Sequence, residues 1–109
     1  MKINIRKAQL GDMEAIHSLV RELAAYERGL DKVSTTPGSY IADFEKGAFD
    51  AFVAEVGGEI VGMALYCGMF STWRGRMLYL EDFIVRESLR GAGIGKMLFE
   101  AFIEEARRQ

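Results

Sequence analysis

The sequence has few of the residues that build disulfide frameworks and metal sites. It contains one cysteine (Cys67), one histidine (His17) and one proline among 109 residues. A lone cysteine excludes an internal disulfide and a cysteine-based zinc site, and a lone histidine excludes a histidine cluster, so we expect no metal centre. No apolar run reaches membrane-spanning length, and the opening Met1-Lys2-Ile3-Asn4 does not begin a signal peptide. We therefore expect a cytoplasmic protein.

An excess of charge of one sign is also lacking. The 14 Lys and Arg against 16 Asp and Glu give a formal net charge of −2, whereas a general nucleic-acid binder carries a basic excess. The chain is 50% hydrophobic and 28% charged, which excludes a disordered or collagen-like protein. The length is that of one small domain, so we expect residues 1–109 to form a single domain.

The spacing of apolar residues predicts seven elements in the order β-α-α-β-β-β-α. Gly57-Gly58 between two strand-like runs indicates a hairpin, because a tight turn there needs positive φ angles. The class is therefore α/β (α+β) with a mainly antiparallel sheet. The predicted elements are a strand over 3–6, a helix from Asp12 to Gly29, a helix from Thr36-Pro37 to Gly47, strands over 51–56 and 59–66, a loop over 70–75, a strand over 77–85 and a helix over 91–108.

The predicted order ends on a helix that follows the long apolar strand 77–85. Such a helix usually returns the chain to a neighbouring parallel strand, and the sequence holds no further strand. We therefore expect the C-terminal part of the domain to be missing. An uncovered strand has unpaired N–H and C=O groups, so we also expect a homodimer that covers this edge.

The most specific motif is Arg90-Gly91-Ala92-Gly93-Ile94-Gly95-Lys96, between the last strand and the last helix. Glycines allow close approach of the backbone to a ligand, and a helix start attracts phosphate. A P-loop fails because Met97 follows Lys96 where Ser or Thr is needed, and a dinucleotide fingerprint fails because Lys96 replaces its third glycine. The pattern [RQ]-x-x-G-x-[GA] is met in full by Arg90, Gly93 and Gly95. The alternative is a tight turn without a ligand.

That last pattern is the signature of the GNAT acetyltransferases. The run Leu78-Tyr79-Leu80-Glu81-Asp82-Phe83-Ile84-Val85, with 22–27 in the first helix and Trp73 before the last strand, resembles their diamine (spermidine/spermine) and thialysine subfamily. The resemblance covers essentially the whole chain. It implies a GNAT-like fold and an acetyl-CoA-dependent N-acetyltransferase, acting on a primary amine of a small polycationic or amino-acid-like substrate.

The resemblance also implies roles for individual residues. Phe83, Ile84 and Val85 would present backbone groups to the acetyl-pantetheine arm. Glu81 would be the catalytic base, acting through water, and Tyr26, Glu27 and Asp82 would line the amine site with it. The pyrophosphate of coenzyme A would lie on the turn formed by Arg90, Gly91, Ala92, Gly93, Ile94, Gly95 and Lys96.

Each role has an alternative without function. Strict strand alternation places Glu81 and Asp82 on opposite faces, so only one would face a given cleft. Tyr26 and Glu27 suit an ordinary helix surface, Trp73 suits a loop anchor, and His17 suits a helix surface or a satisfied polar contact. The resemblance further implies that such proteins continue with segments that supply one wall of the coenzyme A cleft and a tyrosine that protonates the leaving thiolate. Because these segments are absent here, one alternative is a catalytically impaired coenzyme A-binding or dimerisation module. Another is an acetyltransferase that acts on protein N-termini or antibiotic amines.

Overall fold

The structure is a computed structural model that describes residues 1–109. It confirms the predicted order of strands and helices. None of its helices combines the length and the apolar character that crossing a bilayer requires. The elements are β1 (Ile3–Lys7), α1 (Met13–Tyr26), α2 (Pro37–Glu45), β2 (Asp50–Val56), β3 (Glu59–Ser71), β4 (Gly75–Val85) and α3 (Ile94–Arg108).

The four strands form one antiparallel sheet in the order β1-β2-β3-β4. The predicted hairpin between β2 and β3 is confirmed, with positive φ at Gly57 (60°) and Gly58 (80°). β2 and β3 lie at the centre of the sheet and are buried along most of their length. β4 lies at one edge, so one side of its backbone has no strand partner.

The helices α1 and α2 cover one face of the sheet. Met13, Ile16 and Leu19 of α1 are fully buried, and they pack with Val53 and Met63 of the central strands. Their helical spacing of three residues places them on one side of α1. This packing places α1 in contact with β3 and β4.

The helix α3 covers the opposite face. Ile94, Leu98 and Phe102 recur every four residues, and they pack against Ala64 and Tyr66 of β3. This spacing places the three side chains on one side of α3. Because α3 crosses the sheet from the end of β4, its first residues are held against that strand.

The predicted end of β3 and the predicted starts of β4 and α3 are wrong. The strands β3 and β4 extend to Ser71 and from Gly75, so the predicted loop shrinks to a tight hairpin turn. Trp73 at this turn is 94% exposed and therefore does not anchor a loop. α3 begins at Ile94 rather than at position 91, because the residues before it include two glycines with positive φ, which a helix does not tolerate.

The pairing of β3 with β4 contains a β-bulge at Glu81. Leu65 lies opposite Asp82, whereas the next residue, Tyr66, lies opposite Leu80. Glu81 is thus an extra residue on β4 without a partner on β3. A bulge breaks the alternation of side chains, so strict alternation does not set the face of Glu81 relative to Asp82.

Candidate functional site

The glycine-rich turn leaves a row of backbone N–H groups without partners at the start of α3. The first helical bond runs from Met97 N to Gly93 O (3.2 Å), so the N–H groups of residues 93–96 have no acceptor inside the helix. No side chain caps this helix. Gly91 also donates to no protein acceptor, whereas Ala92 N donates to Leu89 O (3.4 Å). The predicted row of donors is present, and Ala92 alone among them is engaged.

This row of donors fits a pyrophosphate. Gly91 and Gly93 adopt φ of 91° and 84°, and a Cβ built at either position meets nothing within 4 Å, so the turn is open to its outside. Lys96 is exposed beside these donors. The positive end of the α3 dipole adds to their attraction for an anion.

Two arginines before the glycines of the turn fix it to the sheet. Arg90 Nε donates to Val85 O at the end of β4 (3.2 Å), so its side chain braces the turn. Arg86 donates its N–H to Val61 O (2.8 Å). The Arg86 guanidinium reaches Glu59 Oε1 (2.7 Å) on β3 and Glu22 Oε2 (3.0 Å) on α1. The turn is therefore tied to β3, β4 and α1.

The open edge of β4 presents backbone groups of two residues near this turn. Since Arg86 N pairs with Val61 O on β3, antiparallel alternation directs the backbone of Ile84 towards β3 and that of Phe83 and Val85 outward. The Ile84 side chain is 5% exposed in the core. Ile84 thus has neither its backbone nor its side chain at the open edge, so the geometry favours Phe83 and Val85 over Ile84 for contacts there. Val85 O is already bonded to Arg90.

Three carboxylates without cationic partners lie near the bulge. Burial raises the pKa of the half-buried Asp82, and the negative charges of Glu81 and Glu27 raise it further. None of the ion pairs in the structure includes these three side chains. Asp82 lies opposite Leu65, which belongs to the core under α1 and α2. The structure thus brings Glu27 and Glu81 within electrostatic range of Asp82.

Tyr26 lies in a different setting from the three carboxylates. It is 73% exposed at the end of α1. There it lines a shallow groove of about 80 Å³ together with Ile84, Val85, Arg86 and Arg90. This groove follows the end of β4 towards the glycine-rich turn.

The structure adds Tyr40, His17 and Thr35 to this region. His17 is 3% exposed, and its Nε2 lies 2.9 Å from Thr35 O and 3.2 Å from Thr35 Oγ1. Its ring meets the Tyr40 ring edge-on, with centroids 4.9 Å apart and planes at 89°. Of the two alternatives for His17, the satisfied polar contact is confirmed.

The charges of the Asp82 and Glu81 carboxylates affect the pKa of Tyr40. Burial raises the pKa of the Tyr40 hydroxyl, the Thr35 side chain opposes this rise, and the charges of Asp82 and Glu81 add to it. The sequence pattern predicts the helix that carries Tyr40 but does not single out this residue. The signal that could have drawn attention to it is a polar tip on an otherwise apolar face.

Comparison with known proteins identifies the relatives of this chain. Residues 14–109 match the model of the acetyltransferase (GNAT) family. The chain is 38% identical to thialysine N-epsilon-acetyltransferase of Bos taurus, over 95% of this chain and 67% of that protein. It is 37% identical to spermidine/spermine N(1)-acetyltransferase-like protein 1 of Homo sapiens, over 84% of this chain and 14% of that protein.

Among solved structures, an aminoglycoside N-acetyltransferase in complex with CoA superimposes with a TM-score of 0.76 at 20% identity. The match covers 98% of this chain and 70% of that one, and it concerns the fold. The chain spans about two thirds of the length of the mammalian thialysine acetyltransferases that it matches. The family model matches most of the chain, and the glycine-rich turn lies within the matched residues. The chain therefore belongs to the acetyltransferase (GNAT) family.

Proposed function

We propose that this chain binds acetyl-CoA and transfers its acetyl group to a primary amine of a small cationic substrate, of the diamine or thialysine type. The observation that carries this proposal is the juxtaposition of two features at β4. An open row of N–H donors follows its end, and three carboxylates without partners lie at its bulge. The first suits an anionic cofactor and the second a cationic substrate.

The cofactor would be held by the turn and by the strand edge. Gly91, Gly93, Gly95 and the amides of Ile94 and Lys96 would bind the pyrophosphate, with Lys96 adding positive charge. Phe83 and Val85 would pair with the pantetheine arm as an added strand does. Arg90 would act indirectly, by bracing the turn on Val85 O.

Glu81 is our proposed base. An ammonium group must lose a proton before its nitrogen can attack a carbonyl carbon, and an exposed carboxylate can accept that proton through a water molecule. When bound, acetyl-CoA supplies the thioester. The amine nitrogen forms a bond to the acetyl carbon, the carbon–sulfur bond breaks, the acylated nitrogen releases its second proton to solvent, and the thiolate takes a proton from solvent. The bulge sets Glu81 outside the regular pairing of β4, beside the strand edge that would hold the pantetheine arm.

A cationic substrate is favoured by the charge of the site. Glu27, Glu81 and Asp82 have no cation of the protein to offset them, so their mutual repulsion falls when a cation binds among them. The thialysine and spermidine/spermine acetyltransferase names of the relatives agree with such a substrate. A neutral amine acceptor would leave this repulsion in place.

The test measures acetyl-CoA binding and amine acetylation separately. Isothermal titration of the chain with acetyl-CoA should give saturable binding, and acetylation of 1,3-diaminopropane should be measured in parallel. Glu81→Gln should slow turnover by about 10²–10⁴-fold without changing the affinity for acetyl-CoA. The matched control is Glu14→Gln, an exposed residue of α1 without an ion pair. Equal losses of turnover and affinity in Glu81→Gln would refute its role as the base.

One observation favours a second candidate function. The edge of β4 is open along the strand that would bind the pantetheine arm. If the chain binds acetyl-CoA but acetylates no amine, we propose instead that it is a coenzyme A-binding or dimerisation module.

A further inference from the structure

Arg86 lies where β4 ends and the chain turns towards the glycines. Its backbone N–H donates to Val61 O on β3 (2.8 Å), which fixes this residue to the sheet. Its backbone oxygen accepts from Leu89 N (2.9 Å), the bond that closes the short 3₁₀ turn Glu87–Leu89. Both the N–H and the oxygen of Arg86 are therefore bonded, and the segment that leads from the sheet to the glycines begins at a fixed point.

The Arg86 side chain joins this point to two carboxylates. Its Nη1 donates to Glu59 Oε1 (2.7 Å) at the start of β3, and its Nη2 donates to Glu22 Oε2 (3.0 Å) on α1. A guanidinium is a planar fork, so it can hold two carboxylates on different elements at the same time, whereas an ammonium group acts as a point charge. The two carboxylates also offset the positive charge of the guanidinium, which leaves it little attraction for a further anion. We therefore expect this side chain to fix the chain rather than to attract a ligand.

The point that Arg86 fixes lies between the two parts of the proposed cofactor site. The outward backbone groups of Phe83 and Val85 precede it on β4, and the N–H donors of residues 91–96 follow it. Only residues 86–90 connect the two parts. A ligand that binds at two places gains affinity from both only when the protein holds them at the spacing that the ligand spans. That spacing depends here on what holds the connecting residues.

We propose that Arg86 is a positioning residue for coenzyme A, which holds the glycine-rich turn at the distance from the edge of β4 that the bound cofactor spans. This inference rests on the proposed function, because it concerns the same cofactor. Arg86 acts through residues 87–90 and does not itself bind the cofactor. Glu22 and Glu59 act with it, because they fix the orientation of its guanidinium relative to α1 and β3.

The experiment compares a ligand that spans both parts of the site with one that reaches the turn alone. Acetyl-CoA has the pantetheine arm and the pyrophosphate, whereas ADP has the pyrophosphate without the arm. Arg86→Met keeps most of the length of the side chain and removes the guanidinium. In equilibrium titrations of the full chain, this substitution should weaken acetyl-CoA binding by about three- to tenfold and leave ADP binding within about twofold. Circular dichroism melts establish that each variant is folded.

A second set of variants separates position from charge. Glu22→Gln combined with Glu59→Gln removes both partners of the guanidinium together with their negative charges. If Arg86 attracted the cofactor by its charge, this double substitution would strengthen acetyl-CoA binding, whereas the positioning role predicts a loss like that of Arg86→Met. Adding Arg86→Met to the double substitution should then weaken binding little further, because the three side chains act as one unit. The matched control is Glu14→Gln, which removes a negative charge from an exposed residue of α1 without an ion pair and should change neither affinity.

Three results would overturn the inference. They are acetyl-CoA binding by Arg86→Met within about twofold of the unsubstituted chain, an equal loss of ADP affinity in that variant, and stronger acetyl-CoA binding in the chain with Glu22→Gln and Glu59→Gln. The unsubstituted chain tests the proposed function separately. If it does not bind acetyl-CoA, the proposed function fails and the inference fails with it. If it binds acetyl-CoA and Arg86→Met binds equally well, the inference alone is refuted.

Discussion

Replacing Gly93 by alanine tests whether the shape of the glycine-rich turn is imposed by the fold and used for binding. Gly93 is the residue directly before α3, with φ of 84°. A Cβ added there meets no atom within 4 Å, so the substitution introduces no clash. Its effect comes from the backbone alone, because a left-handed φ is unfavourable for any residue with a Cβ.

The expected magnitude follows from that conformational cost. Holding alanine in the left-handed region costs about 1–2 kcal/mol. If the turn keeps its shape, the free energy of unfolding falls by this amount, which lowers the melting temperature of a domain of about 100 residues by roughly 4–16 °C. If the turn relaxes instead, it no longer aligns the N–H donors, and acetyl-CoA affinity falls by about 5–30-fold.

Two other alanine substitutions serve as controls. Gly11 also has open space around it and does not have a positive φ, so Gly11→Ala should leave stability and binding unchanged. Gly95 lies in the first turn of α3, and an added Cβ would sit 3.5 Å from the Phe83 ring, an ordinary contact. Gly95→Ala should therefore preserve or raise stability, since alanine favours the helix by about 1 kcal/mol.

Circular dichroism melts and isothermal titration with acetyl-CoA measure the two effects separately. If Gly93→Ala matched the unsubstituted chain in both stability and affinity, the left-handed conformation would not be required. If Gly11→Ala lost as much stability or affinity as Gly93→Ala, the effect would be general to glycine replacement, and the reasoning would also be refuted.

Three further predictions concern the core, the acidic cluster and the sheet edge. Leu98→Ala, in a fully buried position on α3, should lower the free energy of unfolding by about 2–5 kcal/mol in a urea titration, and a loss below about 1 kcal/mol would contradict the packing. Because the pKa of Asp82 is raised in the folded chain, its contribution to stability is present at low pH and is lost as the pH rises through that pKa. Asp82→Asn should therefore melt at a higher temperature than the unsubstituted chain at pH 7, and this difference should shrink towards pH 4. If Asp82→Asn melted at a lower temperature at pH 7, that result would be inconsistent with the raised pKa. We also propose that the open edge of β4 before Glu81, away from the residues assigned to the pantetheine arm, pairs with a second copy, so light scattering at micromolar concentration should give a dimer, and a monomer would exclude this pairing.

The amino-acid sequence by itself determined the order of elements and the character of the turn. Apolar spacing in α1 and α3 and the Gly57-Gly58 hairpin depend on contacts a few residues apart, and the structure confirms them. The turn from Arg90 to Lys96 is contiguous in sequence, so its donors could be predicted without knowing what surrounds them. The family resemblance rested on such contiguous residues, and the family is confirmed.

The tertiary structure decided how the candidate site is assembled. The bulge at Glu81 depends on the register between β3 and β4, and the inward backbone of Ile84 depends on the bond from Arg86 to Val61. The meeting of His17 with Thr35 and Tyr40 joins residues 18 and 23 positions apart. Local propensity carries no information about such contacts, because they form only when the helices pack across the sheet and bring distant polar groups to one place.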